Sequence, residues 1–244
     1  MKTTGGKAIY GASVGILMLD ARFPRIPGDM GNALSWPFPV HYRIVRGASP
    51  DLVVRKAATG TLDAFIAAAQ ELERDGVDGI TTNCGFLALF QDEIAAAVSI
   101  PVATSSLMQV AMVNATLPAG KRAGILTVNG SSLTTKHLAR ANVPEGTPVG
   151  TTEGGREFTR AILGNEMELD VTASRADNVD AALSLKASHP DLGAIVLECT
   201  NMTPYAADMC AATGLPVYSM QSFVTWFQSG LQPPRFPDPV EGAT

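Results

Sequence analysis

Apolar residues gather in short unbroken runs along this chain, and helix-like stretches separate them. The runs Val14–Leu19, Val77–Thr81, Pro101–Thr104, Ala123–Val128, Ala194–Leu197 and Pro216–Ser219 lack polar alternation, as strands buried on both faces of a parallel sheet do. Between them, Leu62, Phe65, Ile66, Ala69 and Leu72 fall on one face of a helix predicted over Thr61–Asp75, and Gly76 stands where a C-cap glycine belongs. A weaker helical pattern covers Asn178–His189, and Pro190 ends it. Strand–helix–strand order of this kind predicts an α/β fold with right-handed crossovers.

The pattern occurs twice. Gly79-Ile-Thr-Thr-Asn-Cys84 aligns with Ala194-Ile-Val-Leu-Glu-Cys199, each a strand that runs into a cysteine and is followed by a helical stretch. A proline opens the next strand 17 residues later in both copies, Pro101 after Cys84 and Pro216 after Cys199. Earlier in the copies, Gly15-Ile-Leu17 answers Gly124-Ile-Leu126. The expected architecture is two pseudo-symmetric, doubly wound α/β lobes, each with a central parallel sheet and with the active site between them.

Doubly wound sheets bind ligands outside the carboxyl ends of their strands. Cys84 and Cys199 fall at such ends, just before a predicted helix. Backbone N–H groups and the helix dipole there favour an anion, which would lower a thiol pKa from its usual value of about 8.5. Thr81, Thr82 and Asn83 precede the first cysteine, and Thr200 and Asn201 follow the second, short hydrogen-bonding groups suited to a small carboxylate ligand. Two thiols flanking one cleft could serve opposite faces of a single carbon. One would remove the α-proton and the other would return a proton. Cys210, mid-helix in Ala206–Thr213 and without a repeat partner, reads as a packing residue.

The Thr82-Asn83-Cys84-Gly85 and Glu198-Cys199-Thr200-Asn201 segments, set in duplicated lobes, resemble the aspartate/glutamate racemase superfamily, which includes hydantoin racemases. The resemblance implies a two-lobed fold, an interlobe site, and neither pyridoxal phosphate nor a metal. It also implies that the C-terminal helix returns to the first lobe, so that residues 1–104 plus 220–244 form one lobe and 105–219 the other. The glutamate racemase pattern has Asn-Thr-Cys and Cys-Thr-His, whereas this chain has Thr82-Asn83-Cys84 and Cys199-Thr200-Asn201, with Asn201 in the place of the assisting histidine. The acidic residue after the first strand has no equivalent at the aligned place, which Met18 fills, although Asp20 lies close by. Activation of the thiols would then fall to helix dipoles or to Glu198. The expectation is a cofactor-independent racemase or epimerase of a small amino acid or hydantoin. Its catalytic groups would be Cys84 and Cys199, with Thr82, Asn83, Gly85, Thr200, Asn201, Asn129, Ser131 and Asp20 around the substrate. The alternatives are a cysteine-dependent isomerase or decarboxylase of a small diacid, similar to maleate isomerase, and a two-lobed binding protein with inert cysteines.

Other signals add detail. Arg22–Pro39 is a long proline-rich loop; Arg22 and Arg25 could meet a substrate carboxylate, or could lie on the surface or in a subunit contact. Trp36 and Phe38 would pack this loop down, and His41 would begin a strand. Thr127–Ser132 ends the strand that mirrors Val14–Leu19, so Ser131 or Ser132 could cap a helix or, with Asn129, touch ligand. Ser105 and Ser106 also end a strand and read as helix caps. Gly11-Ala-Ser-Val-Gly15 fits the nucleophile-elbow spacing, but its strand follows rather than precedes the serine. A net charge of −5, 6% aromatic residues and no Lys/Arg run argue against nucleic acid. Three scattered cysteines and three scattered histidines form neither a disulfide framework nor a zinc pattern. The apolar stretch Ala8–Leu19 is interrupted by Gly11, Ser13 and Gly15 and reads as a buried strand rather than a leader. No run reaches the roughly 20 residues of a membrane span, so a cytoplasmic protein that acts on a small molecule, as a homodimer, is expected.

Overall fold

A strand covered on both faces has no place for a polar side chain to reach water, and β1 (Val14–Leu19) obeys this over its whole length, with all six residues buried. The computed structural model describes residues 2–237. In it β1, β2 (Val40–Val45), β3 (Gly79–Thr82) and β4 (Val102–Ala103) form one parallel sheet in the order β2-β1-β3-β4. β5 (Arg122–Thr127), β6 (Val149–Thr151), β7 (Leu192–Leu197) and β8 (Val217–Tyr218) form a second, in the order β6-β5-β7-β8. The two sheets are wound identically, as the internal repeat requires. Strand ends differ from the apolar runs by one to two residues, and β6 and the half-exposed edge strand β2 carry too little continuous apolar sequence to stand out.

The amphipathic helix spans Leu62–Asp75, and Gly76, at φ 94°, closes it in the left-handed conformation that glycine adopts without strain. The second predicted helix starts seven residues earlier than its apolar pattern, at Val171, because the Asp170 side chain accepts hydrogen bonds from the Thr172 and Ala173 N–H groups, both at 2.9 Å. Cys84 and Cys199 are each followed by a 3₁₀ segment, Gly85–Phe90 and Thr200–Tyr205, before an α-helix begins. Cys210 is exposed on the helix Ala206–Thr213, which corrects its assignment as a packing residue: no neighbour covers that face.

The helix Met220–Leu231 crosses back over the first sheet, where Met220, Phe223 and Val224 share a buried cluster with Val14, Ile16 and Met18. Of the stretch 220–244, residues 238–244 lie outside the described residues. A larger cluster runs through both sheets, from Leu17 and Ile80 to Ile125 and Leu197, so the lobes share one core. Among the described residues, no helix is long and apolar enough to cross a membrane.

Gly79 marks the tightest seat of that returning helix: a Cβ there would lie 2.7 Å from Leu231 Cδ1 and 2.8 Å from the Phe227 ring. Gly79→Ala should therefore lift the helix and cost about 1–3 kcal/mol, read as a lower urea midpoint together with a shift in Trp226 fluorescence. An unchanged midpoint would show that the helix is not held at this point.

Candidate active site

Because β3 and β7 occupy equivalent places in their sheets, their carboxyl ends bring Cys84 and Cys199 to the same seam between the lobes. Both thiols are buried, free, and line one narrow cavity. Leu19, Phe23, Val54, Phe86, Val128 and Ile162 give the cavity an apolar lining. Asn83, Gly85, Glu198, Thr200 and Asn201 complete the lining.

The two cysteine motifs interlock. The Thr200 hydroxyl donates to the Asn83 carbonyl at 2.6 Å. Reciprocally, Gly85 lies so close to Glu198 that a Cβ would come within 2.4 Å of both its carbonyl oxygen and its Oε1. The residue before each cysteine thus meets the residue after the other. Asn83 is fixed from behind, since its Oδ1 accepts from the Leu19 N–H at 2.8 Å. Thr82 supports rather than lines the cavity: its hydroxyl donates to the Thr104 carbonyl at 2.6 Å and accepts from the Cys84 N–H at 3.3 Å.

Electrostatically, the thiols are not what the strand-end position suggested. Burial, and secondly the nearby Glu198 charge, push the Cys84 thiol well above its usual range, against the N–H groups of Phe86 and Leu87 and against Arg25. Cys199 is raised for the same two leading reasons, with the Asn201 N–H opposing, and its thiol lies 3.6 Å from Asn201 Oδ1. The expected lowering by helix dipoles is therefore corrected: the two 3₁₀ segments supply a few N–H groups, and desolvation outweighs them. Glu198 is fully buried as well. Its Oε2 accepts from the Thr127 hydroxyl at 2.6 Å, Oε1 has no partner, and burial lifts its pKa to about 8.

The loop that opens at Arg22 contributes a group the sequence reading did not single out. Asp29, 3% exposed, pairs with Arg25 at 2.8 Å and accepts a hydrogen bond from Asn201 Nδ2, so a chain of contacts runs from Arg25 to Cys199. An Arg-x-x-x-Asp spacing inside a loop full of prolines was the available signal. Arg25 also lies over the Phe23 ring, 4.7 Å from its centre, and its Nη2 is buried without a partner. Trp36 is buried and packs on Phe38.

Besides Thr82, three expected site residues lie away from the cavity wall. Asp20 pairs with Arg46 and accepts from the Gly47 N–H, both at 3.2 Å. Asn129 Oδ1 accepts from the Ser132 N–H at 2.8 Å, and the exposed Ser131 hydroxyl bonds Glu153, so neither serine caps the following helix, whose N-cap is Thr134. Arg22 donates its backbone N–H to Asn165 Oδ1 at 2.6 Å and faces an outer groove with Arg160 and Glu168. Ser105 caps the turn after β4, whereas the Ser106 hydroxyl donates to the Leu197 carbonyl across the seam at 2.6 Å.

Behind Phe86 lies His137, 1% exposed, its ring set edge-on at 5.1 Å. Burial lowers its pKa to about 4, so the folded chain refuses a proton that the unfolded chain accepts near pH 6.5. Folded protein binds fewer protons in that window, and stability falls as the pH drops from about 6.5 towards 4. The His137 imidazole resonances should titrate near pH 4; titration near 6.5 would show an open cavity wall. In the same wall, Gly85→Ala should drive Glu198 aside and lower turnover by about 10²-fold or more, because a 1 Å displacement of a reacting group is enough for that loss. Retained turnover in that variant would show that the Gly85–Glu198 contact does not shape the site.

Comparison with known proteins places this geometry. The family described as Asp/Glu/Hydantoin racemase matches residues 48–226. The chain is 33% identical over 233 residues to a protein named dimethylsulfoniopropionate lyase from Durusdinium sp. clade D, covering 92% of this chain and 77% of that one. It is 30% identical over 239 residues to dimethylsulfoniopropionate lyase 6 of Emiliania huxleyi, of whose length it spans 61%. Among solved structures, unliganded arylmalonate decarboxylase superposes with a TM-score of 0.54 at 14% identity, covering 90% of this chain and 92% of that one. A glutamate racemase isoform from Bacillus anthracis does so with a TM-score of 0.56 at 15% identity, covering 90% and 82%. These two likenesses concern the fold. The expectation of a racemase is corrected here: the sequence relatives carry the name of a lyase, and the alternative of a cysteine-dependent isomerase or decarboxylase of a small diacid fits them better.

Proposed function

The chain is an enzyme that belongs to the Asp/Glu/Hydantoin racemase family, and we propose that it cleaves dimethylsulfoniopropionate, or a near analogue with a sulfonium group β to a carboxylate. The observation that carries this reading is the 33% identity over 92% of the chain to a lyase of that name, in a chain whose two buried thiols share one largely apolar cavity.

The substrate's chemistry fits that cavity. A dimethylsulfonium group is a cation wrapped in methyl groups, and the Phe86 ring offers it both apolar contact and cation–ring attraction, with Phe23, whose ring already carries Arg25, adding apolar contact. Asn83 sits at the polar end, its Oδ1 already used by Leu19, with the amide nitrogen left for a carboxylate. Cys84 is the better base of the two thiols. Both thiols face Glu198, but Cys84 also faces the N–H groups of Phe86 and Leu87 and the Arg25 charge, whereas Cys199 also faces Asp29 and already contacts Asn201. The sulfonium charge entering a desolvated site favours the Cys84 thiolate. That thiolate takes the proton from the carbon next to the carboxylate. The C–H electron pair becomes the carbon–carbon double bond, the carbon–sulfur bond breaks, and its pair leaves with dimethyl sulfide. Acrylate remains, and the Cys84 proton returns to solvent.

Purified protein incubated with dimethylsulfoniopropionate should release dimethyl sulfide and acrylate in equal amounts, followed by gas chromatography and proton NMR. Cys84→Ala should lower kcat/KM by about 10²–10⁴-fold, the range lost with a positioned general base, and Cys199→Ala by less. Absence of dimethyl sulfide, or a Cys84→Ala variant as fast as the parent, would overturn the reading.

A further inference from the structure

Of the buried titratable groups in the cavity that the elimination above leaves without a task, Cys199 already contacts Asn201, whereas Glu198 carries a free oxygen. It is 0% exposed at the end of β7, and its Oε1 has no hydrogen-bond partner. The groups that meet it are the Thr127 hydroxyl from β5 and, from the first lobe, Gly85 and the Phe86 N–H, which points at the carboxyl without closing a bond of normal geometry. The ionisable groups around it are the two thiols and, one step further across the loop, Asp29 and Arg25, and Arg25 is spent on Asp29. A carboxylate sealed in such a place with no cation against it would cost several kcal/mol, and a group so placed keeps its proton instead.

We propose, building on the lyase reading, that Glu198 is a catalytic residue held as a neutral carboxylic acid, whose Oε1 hydroxyl donates a hydrogen bond to the substrate carboxylate as that group takes up the charge of α-deprotonation. The bond strengthens as the carboxylate becomes enolate-like, so it favours the transition state over bound substrate. No covalent bond changes at Glu198, and it keeps its proton through the cycle. Gly85 is the counterpart of this role, since any side chain there would displace the acid from the cavity. The burial that lifts the pKa to about 8 sets the range in which the donor exists, with Glu198 neutral below that pH and ionised above it.

Two measurements test this, one of which needs no substrate. In the unliganded protein, infrared difference spectra between the parent and Glu198→Gln should show a protonated-carboxyl C=O stretch at pH 6.5 that disappears as the pH rises through about 8. With propionate as the probe, binding to the parent should weaken about fivefold between pH 8 and 9 and about tenfold per pH unit beyond, as the donor is lost, and the Gln variant, which keeps an uncharged donor, should show no such dependence. In turnover, log kcat/KM should climb with pH as the base thiol ionises and bend downward near pH 8 in the parent, and the bend should vanish in Glu198→Gln. An ionised Glu198 at pH 6.5, a bend that persists in the variant, or a Gln variant as inactive as Cys84→Ala would overturn the proposal. Proton-linked propionate binding without dimethyl sulfide release would instead sustain it and sink the lyase reading alone.

Discussion

The seam between the lobes rests on a contact in which nothing but hydrogen fits: the Gly85 Cα against the carbonyl and carboxyl of Glu198. Around it, the Thr200–Asn83 and Ser106–Leu197 hydrogen bonds tie backbone of one sheet to side chains of the other. Both cysteines take their positions from this seam, since each is the residue between two of its contacts. The shared core explains why it stays closed. Residues of both sheets belong to one buried cluster, so parting the lobes would expose apolar surface as well as break polar contacts.

Desolvation governs the chemistry of the resulting cavity. It raises every acid in it, both thiols and Glu198 alike, and therefore keeps the empty site close to neutral. A site of this kind offers a small anion hydrogen-bond donors rather than an opposing charge, and favours a ligand that carries its own positive charge as well. That is a form of selectivity built from exclusion of water rather than from a set of matched ion pairs. The Arg25–Asp29 pair reinforces it by cancelling the nearest strong charge before a ligand arrives.

Much of the fold could be read from the chain because parallel strands leave a plain record. β1, β5 and β7 are unbroken apolar runs, and the repeat located both cysteines at strand ends. β6 and β2 left weaker traces, one being three residues long and the other an edge strand half open to solvent. The site divides in the same way. Residues adjacent to the cysteines, Asn83, Gly85, Thr200 and Asn201, line the cavity because backbone continuity carries them there. Asn129, Ser131 and Asp20, chosen for lying after a strand, turn to local partners instead. Asp29 was hidden because its importance arises from a contact 172 residues away with Asn201. The chemistry was the least legible part. A pair of thiols across a cleft suits inversion of a carbon and elimination from it equally well, and the distinction lies in the apolar wall, which no motif encodes.

The reciprocal seam also shows how far the two halves depart from one another. Two identical lobes would place the same residue before both cysteines and the same residue after them. Here the first motif supplies an amide before its cysteine and a bare backbone after it, while the second supplies an acid before and a hydroxyl after. Glycine yields room to the acid, and the hydroxyl reaches the backbone beside the amide. Each half is thus the mould of the other and no longer of itself. Two identical lobes could not make this contact, and a single chain is what lets the two halves carry different residues at equivalent places.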